Sequence, residues 1–276
     1  MANSSKPLPL MADGKPYYTL SSYDPVSVEV LVPLVTDDDI DFALDAMLAQ
    51  MGASREELED PAWVAQTLPG IHDAGELRGF VRDQLTDANA NLAEQQKVSA
   101  CSAGLVERLN QRVPLETVAR NRRDGESSLM QQMAQQGLTL DQFLMQMGMT
   151  RADYEEMLDA QAHDISQSAA ALSAYAREKK LSVADSEIGP LLGIPEDQVN
   201  ALVMNLRMTG RYNELLDGAL QAKALQTAVS ECVCTYRHET AAEAQARVEM
   251  VRLAREQAEA SEDDAPGNGD TGMRLV

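Results

Sequence analysis

Three cysteines and three histidines are the side chains whose chemistry is easiest to place. His72, His163 and His238 lie far apart along the chain and lack the paired spacing of a zinc site. Cys232-Val-Cys234 followed by His238 is the one grouping of soft-metal donors. The pattern around it reads as helix, where residues two apart point about 200° away from each other, so both thiols read as small apolar helix residues. Cys101, between Ala100 and Ser102, has no base beside it and reads as a helix-face residue. No Gly-x-x-x-x-Gly-Lys-Ser/Thr loop is present to cradle phosphates, and no carboxylate pair stands out among the 44 acids. Asp37, Asp38, Asp39 and Asp41 lack the spaced ligands and tight glycine turn of a hard-cation loop and read as the start of a helix. These residue types point to no catalytic residue, no metal and no cofactor.

Methionine is more informative, with 14 in the chain. Met130, Met133, Met145, Met147, Met149 and Met157 cluster beside Leu138, Phe143 and Leu144. Flexible, polarizable thioethers suit a surface that repacks around varied apolar partners. The same helical spacing equally suits a loosely packed core, and both readings stay open at this point. If the stretch binds a substrate, the residues expected to do so are Met130, Met133, Leu138, Phe143, Leu144, Met145, Met147 and Met149.

The elements that must position these residues follow from composition and periodicity. The chain has 276 residues, with 23 Lys and Arg against 44 Asp and Glu, a net charge of −21. Such acidity argues against a partner made of nucleic acid or anionic membrane, whose phosphates need cations. No stretch approaches the roughly 20 apolar residues that span a bilayer. The start, MANSSKPLPLMADGKPYY, lacks an apolar signal core, and three cysteines suit a reducing compartment, so a cytoplasmic protein is expected. Aromatics are only 4%, and a core of Ala, Leu and Met favours helices.

Four elements or boundaries are expected. Residues 1–25 read as an extended lead-in carrying Pro7, Pro9, Pro16 and Pro25. VSVEVLVPLV, residues 26–35, is the one strand signal, expected to pair with Tyr17–Leu20 or to lie against helices. With the helix that Thr36 caps and the Ser54–Glu57 and Asp60-Pro61 helix starts, it makes a strand and linker segment over 26–72. A helical domain then fills 73–260, and 261–276 is a polar, acidic tail expected to be disordered. Within the helical domain the spacing predicts a helix from Asp73 to about Arg112 and others from Pro114, Thr139, Thr150, Asp185 and Pro195. A last long helix is expected from Arg211 to about Ala260. The expected fold is mainly α, an elongated helical body with projecting helical arms and a short strand or hairpin near the N-terminus.

The order of these segments resembles a known family. VSVEVLVPLVTDDDIDFALDAMLAQMGA is similar to the linker that follows the ribosome-binding domain of trigger factor, the bacterial ribosome-associated chaperone. Glu76-Leu77-Arg78, Pro114, Gln135-Gln136-Gly137-Leu138, Phe143-Leu144 and Gly148-Met149-Thr150 resemble the punctuation of that family's C-terminal helical domain. Ala162, Ile165, Leu172, Ala176, Glu178, Leu181, Val183, Asp185, Glu187 and Ile188 continue the likeness. The resemblance covers roughly residues 26–52 and 75–235. It departs from the family in three places. The ribosome-docking signature Gly-Phe-Arg-x-Gly-x-x-Pro is absent, and the stretch between the Thr36 helix and Glu76, with Trp63 its sole aromatic, is too short for a prolyl isomerase domain. QSAAALSAY, residues 167–175, carries small residues where the family tends to larger aliphatics. The resemblance implies an ATP-independent chaperone that binds unfolded or nascent polypeptides, without prolyl isomerase activity or direct ribosome docking. The alternative is a helical adaptor or scaffold for one defined partner.

Overall fold

The computed structural model describes residues 9–11, 14 and 16–263, the last nine of these by backbone alone. The expected disorder of the C-terminal tail falls on residues outside that range from 264 onward. Among the described residues the chain forms β1 (Ser27–Val32), α1 (Asp37–Met51), a 3₁₀ turn (Arg55–Glu59), α2 (Pro61–Thr67), α3 (Ala74–Glu107), α4 (Leu115–Gln135) and α5 (Leu140–Met147). It continues with α6 (Arg151–Glu178), α7 (Asp185–Leu192), α8 (Glu196–Met208), α9 (Tyr212–Glu231), β2 (Val233–His238) and α10 (Ala241–Asp263). The protein is mainly α, with a two-stranded sheet to which the N-terminal strand belongs.

Two expectations are corrected by that sheet. β1 pairs neither with Tyr17–Leu20 nor only with helices: its partner is β2. The Val233 N–H donates to the Val26 carbonyl and the Glu239 N–H to the Val32 carbonyl, each at 2.9 Å, so the register is constant and the strands run parallel. The helix expected over Arg211–Ala260 is therefore two helices with a strand between them. At Cys232 the backbone turns extended, with φ −62° and ψ 143°, and Val233, Thr235 and Tyr236 supply the β-branched and aromatic side chains that helices disfavour.

The chain divides into two compact units, each made from two stretches. The first joins the residues up to Val28 with Gln96–Thr235. Its core gathers Tyr18, Leu20 and Val26 of the lead-in, Cys101 and Leu105 of α3, and the small residues Ala170, Ala171, Ala174 and Ala176 of α6 against Ala224 and Ala228 of α9. The small residues of 167–175 thus serve close packing: α6 runs between α4 and α9 and touches both. Gly104 is a second close approach. A Cβ there would lie 2.4 Å from Val26 Cγ1, inside contact distance of a side chain that is itself buried. Gly104→Ala is expected to destabilise the protein by about 2 kcal/mol through overpacking, read as a shift of the urea midpoint.

The second unit joins Glu29–Gln95 with the residues from Tyr236 onward. Ile40 and Leu44 of α1 bury against Leu77 and Val81 of α3, with Met47, Leu58 and Ile71 packed around them. Thr36 caps α1 as expected: its Oγ1 accepts from the Asp39 N–H at 3.1 Å, and Asp39 Oδ2 accepts from the Thr36 N–H at 2.9 Å. The acids of α1 also meet four arginines. Arg78 pairs with Asp41, Arg82 with Asp37, Arg55 with Asp45 and Arg247 with Asp39. The second and third pairs are largely exposed and the first is half-buried, so they add little stability; the fourth is part of a clamp around the buried Glu239. In it, the Glu239 side chain, 4% exposed, accepts from Arg247 Nε and from the Leu34 N–H. Arg247 grips both carboxylate oxygens of Asp39, at 2.8 and 3.1 Å, and donates to the Leu34 carbonyl.

Candidate functional site

The methionine-rich stretch lies in the first unit, where two capped turns position it. Thr139 opens α5 by accepting from the Gln142 N–H, and Gly148, with φ +62°, closes it in a left-handed conformation that glycine adopts without strain. Thr150 opens α6 two residues later, with Asp153 returning the bond to the Thr150 N–H at 2.9 Å. The Asp153 carboxyl sits below its ordinary range because the Thr150 hydroxyl and N–H both donate to it. These caps fix which side of α5 faces inward. Leu140, Phe143 and Leu144 pack with Leu129 of α4, Met149, and Tyr154 and Leu158 of α6.

α4 is held to α6 by polar contacts as well. Arg122 pairs with Glu155, with Asp159 at 2.5 Å and with Glu126 at 3.5 Å. Asn121 donates to Ser166 Oγ at 2.7 Å, and that hydroxyl donates back to the Ala162 carbonyl. One group is left over. Tyr154 is fully buried, and its hydroxyl has no hydrogen-bond partner among the described residues. Burial, and then the neighbouring Glu126 and Glu155 carboxylates, raise its pKa. Tyr154→Phe is expected to stabilise the protein by about 1 kcal/mol, seen as a higher Tm, because it removes a desolvated hydroxyl without disturbing the ring.

The eight residues expected to bind a substrate divide by burial. Met133 (3% exposed) and Leu144 (8%) belong to the core. Phe143, Met149 and Leu138 are half-buried, the first two in the cluster around Tyr154. Met130 is exposed at the far end of α4, and Met145 (80%) and Met147 (59%) stand out into solvent from α5. Both readings of the methionines are therefore right for different members: some fill the core and some are displayed. Sequence reasoning missed further displayed methionines, among them Met204 and Met208, 66% and 75% exposed. These two sit four residues apart on α8, a helix with no buried residue. That spacing, with Asn205 and Arg207 between them, was the signal available. Ile165 of α6 and Leu115 at the start of α4 are also exposed.

This arrangement can do no evident covalent chemistry. Cys234 and His238 lie on a strand, not a helix, so the earlier geometric argument against the Cys232–Cys234 pair does not apply: residues two apart on a strand share a face. Among the described residues, nevertheless, no three His, Cys, Asp or Glu side chains gather where they could hold a metal ion. The perturbed carboxylates and guanidiniums are those of caps and ion pairs, as in the Glu231 carboxyl, lowered by Lys179 and the Tyr175 hydroxyl. Among the described residues, too, no helix is long and apolar enough to cross a membrane. What the first unit offers is apolar thioether surface, displayed on the capped α5 and on α8, a helix that buries none of its residues.

Comparison with known proteins gives that surface a context. No curated protein sequence matches the chain significantly. Among solved structures, the crystal structure of the hypothetical Mycoplasma protein MPN555 aligns over 80% of this chain and 90% of its own, at 11% identity and a TM-score of 0.38. A family profile described as the C-terminus of bacterial trigger factor protein matches residues 74–235, more than half of the chain. The match begins with α3, takes in the α4–α5–α6 methionine region and the displayed face of α8, and stops within β2. In trigger factor this part is the non-catalytic, chaperone part. The displayed methionines stand inside that match, and the chain belongs to the trigger factor C-terminus family.

Proposed function

We propose that this protein is an ATP-independent, cytoplasmic chaperone that holds unfolded or nascent polypeptides and assists their folding. The observation that carries the reading is the display of Met145, Met147, Met204 and Met208 on helices of the family's chaperone region. Exposed thioethers give many weak, adaptable apolar contacts, which suit clients of unrelated sequence. A net charge of −21 keeps such a surface from driving self-association.

In this reading the protein acts without prolyl isomerase activity. Between α1 and α3 the chain forms a 3₁₀ turn and the seven-residue α2, and such a segment has no room for a β-rich pocket. Client holding also needs neither nucleic acid nor a membrane, and it does not depend on direct ribosome docking.

The test is light scattering of a chemically denatured client diluted into buffer with increasing amounts of this protein. Suppression at a few-fold excess, without ATP and with several unrelated clients, is the expected result. No suppression at such an excess, together with one stoichiometric partner captured from lysate, would replace the chaperone reading with that of a helical adaptor.

A further inference from the structure

The thioethers that the client-holding reading offers to a client are also open to oxygen transfer. A thioether reacts through a lone pair on sulfur, so an oxidant must reach the side chain from solvent. Met145 and Met147 on α5, and Met204 and Met208 on α8, are each more than half exposed. Their neighbours in the same unit are shielded: Met133 is buried, and Met149 is half-buried against the cluster of Leu144 and Tyr154. Met250 of α10 is as exposed as Met204 but belongs to the second unit.

We propose that Met145, Met147, Met204 and Met208 form an oxidative modification site: hydrogen peroxide converts them to sulfoxides, and the sulfoxides switch client holding off. The inference rests on the client-holding reading and adds its regulation. At each residue the sulfur attacks one peroxide oxygen, the O–O bond breaks and an S–O bond forms. The second oxygen leaves as hydroxide, takes the proton of the first and becomes water. Sulfur gives up two electrons and the peroxide gains them. The product is polar where the thioether was apolar. A client's apolar side chain must then displace water bound to the sulfoxide oxygen, so the adaptable contact is lost. The fold is spared, because these side chains stand in solvent and α8 buries none of its residues. The change is reversible: a sulfoxide reductase with two equivalents of thiol restores the thioether, forming a disulfide and water.

The test treats the full chain with hydrogen peroxide, removes the excess with catalase, and reads tryptic peptide masses, Tm and binding of a fluorescent, unfolded client. One oxygen atom is expected on each of the four methionines, in peptides 124–151, 181–207 and 208–211, before any reaches Met133. Client affinity should fall about 50-fold with Tm almost unchanged. Methionine sulfoxide reductases with a thiol should restore it, and the thiol alone should not. That comparison separates sulfoxides from oxidised Cys232 and Cys234, which are half-buried. In the chain carrying Met145→Leu, Met147→Leu, Met204→Leu and Met208→Leu, affinity should be the same before and after peroxide. Met250→Leu alone should give no protection. A chain that bound no client before peroxide would overturn the client-holding reading and the switch with it. With client bound at the start, the switch alone is overturned by any of four results: oxygen on Met133 first, affinity unchanged once the four are oxidised, an equal loss in the leucine variant, or recovery with thiol alone.

Discussion

Arg247→Met should destabilise the protein by about 3 kcal/mol, the largest loss expected of any substitution outside an apolar core. The reason lies in what the arginine leaves behind. The Glu239 side chain is 4% exposed, and without Arg247 it keeps, among the described residues, only the Leu34 N–H as a partner. Asp39 loses both of its guanidinium bonds, and the Leu34 carbonyl loses a donor. Methionine has about the right length to cover the apolar stem's contacts, so the loss reports the charge and not a cavity. Glu239→Gln in the same chain should recover most of it, because a neutral amide can still accept from Leu34 without carrying a buried charge. Urea unfolding of the two single variants and the double variant gives the coupling directly. If Arg247→Met alone cost less than about 1 kcal/mol, the clamp would be no more than a surface ion pair.

The same clamp sets an acid limit. Burial alone would raise the Asp39 carboxyl, but the Arg247 bonds and the Thr36 N–H and hydroxyl outweigh it and hold the group at about 2. A folded-state pKa below the unfolded value of 3.8 means stability that is fully present above about pH 4 and lost as pH falls towards 2. The difference amounts to about 2 kcal/mol. Glu243, which caps α10 from Thr240 and pairs with Arg237, is likewise held at about 2 and loses its contribution over the same range. In Arg247→Met the Asp39 part of this acid dependence should shrink, visible as a flatter fall of the urea midpoint between pH 4 and pH 2.

Local chemistry made most of the helices legible and long-range pairing hid the rest. Thr36, Thr139 and Thr150 with an acid or amide three residues on, and Gly52 and Gly148 as stops, mark boundaries through bonds made within one turn. β2 was missed because its six residues stand between two helical patterns, and a strand there makes sense only once β1 lies beside it. The Arg247 clamp joins positions 34, 39, 239 and 247 and leaves no periodic trace. Burial in the methionine region was half legible. Periodicity located α5, but only packing against Tyr154 and Leu129 decides that Leu144 faces in while Met145 faces out. On α8 the polar surroundings of Met204 and Met208 gave the cue, and the helix packs too lightly on α7 and α9 to bury either of them.

Replacing Met145, Met147, Met204 and Met208 together by Gln should weaken client holding about 50-fold while leaving Tm almost unchanged. Each of these side chains is more than half exposed, so its apolar surface contributes little to folding and is available to a client. Covering one by a client's apolar side chain is worth about 0.5–1 kcal/mol, less than full burial because a polypeptide that stays unfolded fits loosely. Four such contacts sum to about 2–4 kcal/mol, and a 50-fold change, about 2.3 kcal/mol, falls in the lower part of that range. Glutamine keeps the length and helix propensity and adds no charge, so electrostatic attraction to the client is unaltered. A Met133→Gln control should behave in the opposite way: that residue is 3% exposed, and its change should lower Tm through a buried, unpartnered amide. The measurements are binding of a fluorescent, permanently unfolded client and thermal unfolding of the same samples. Unchanged client affinity in the fourfold variant would move the binding surface off α5 and α8. A fall in Tm matching the loss of affinity would instead show that these methionines support the fold.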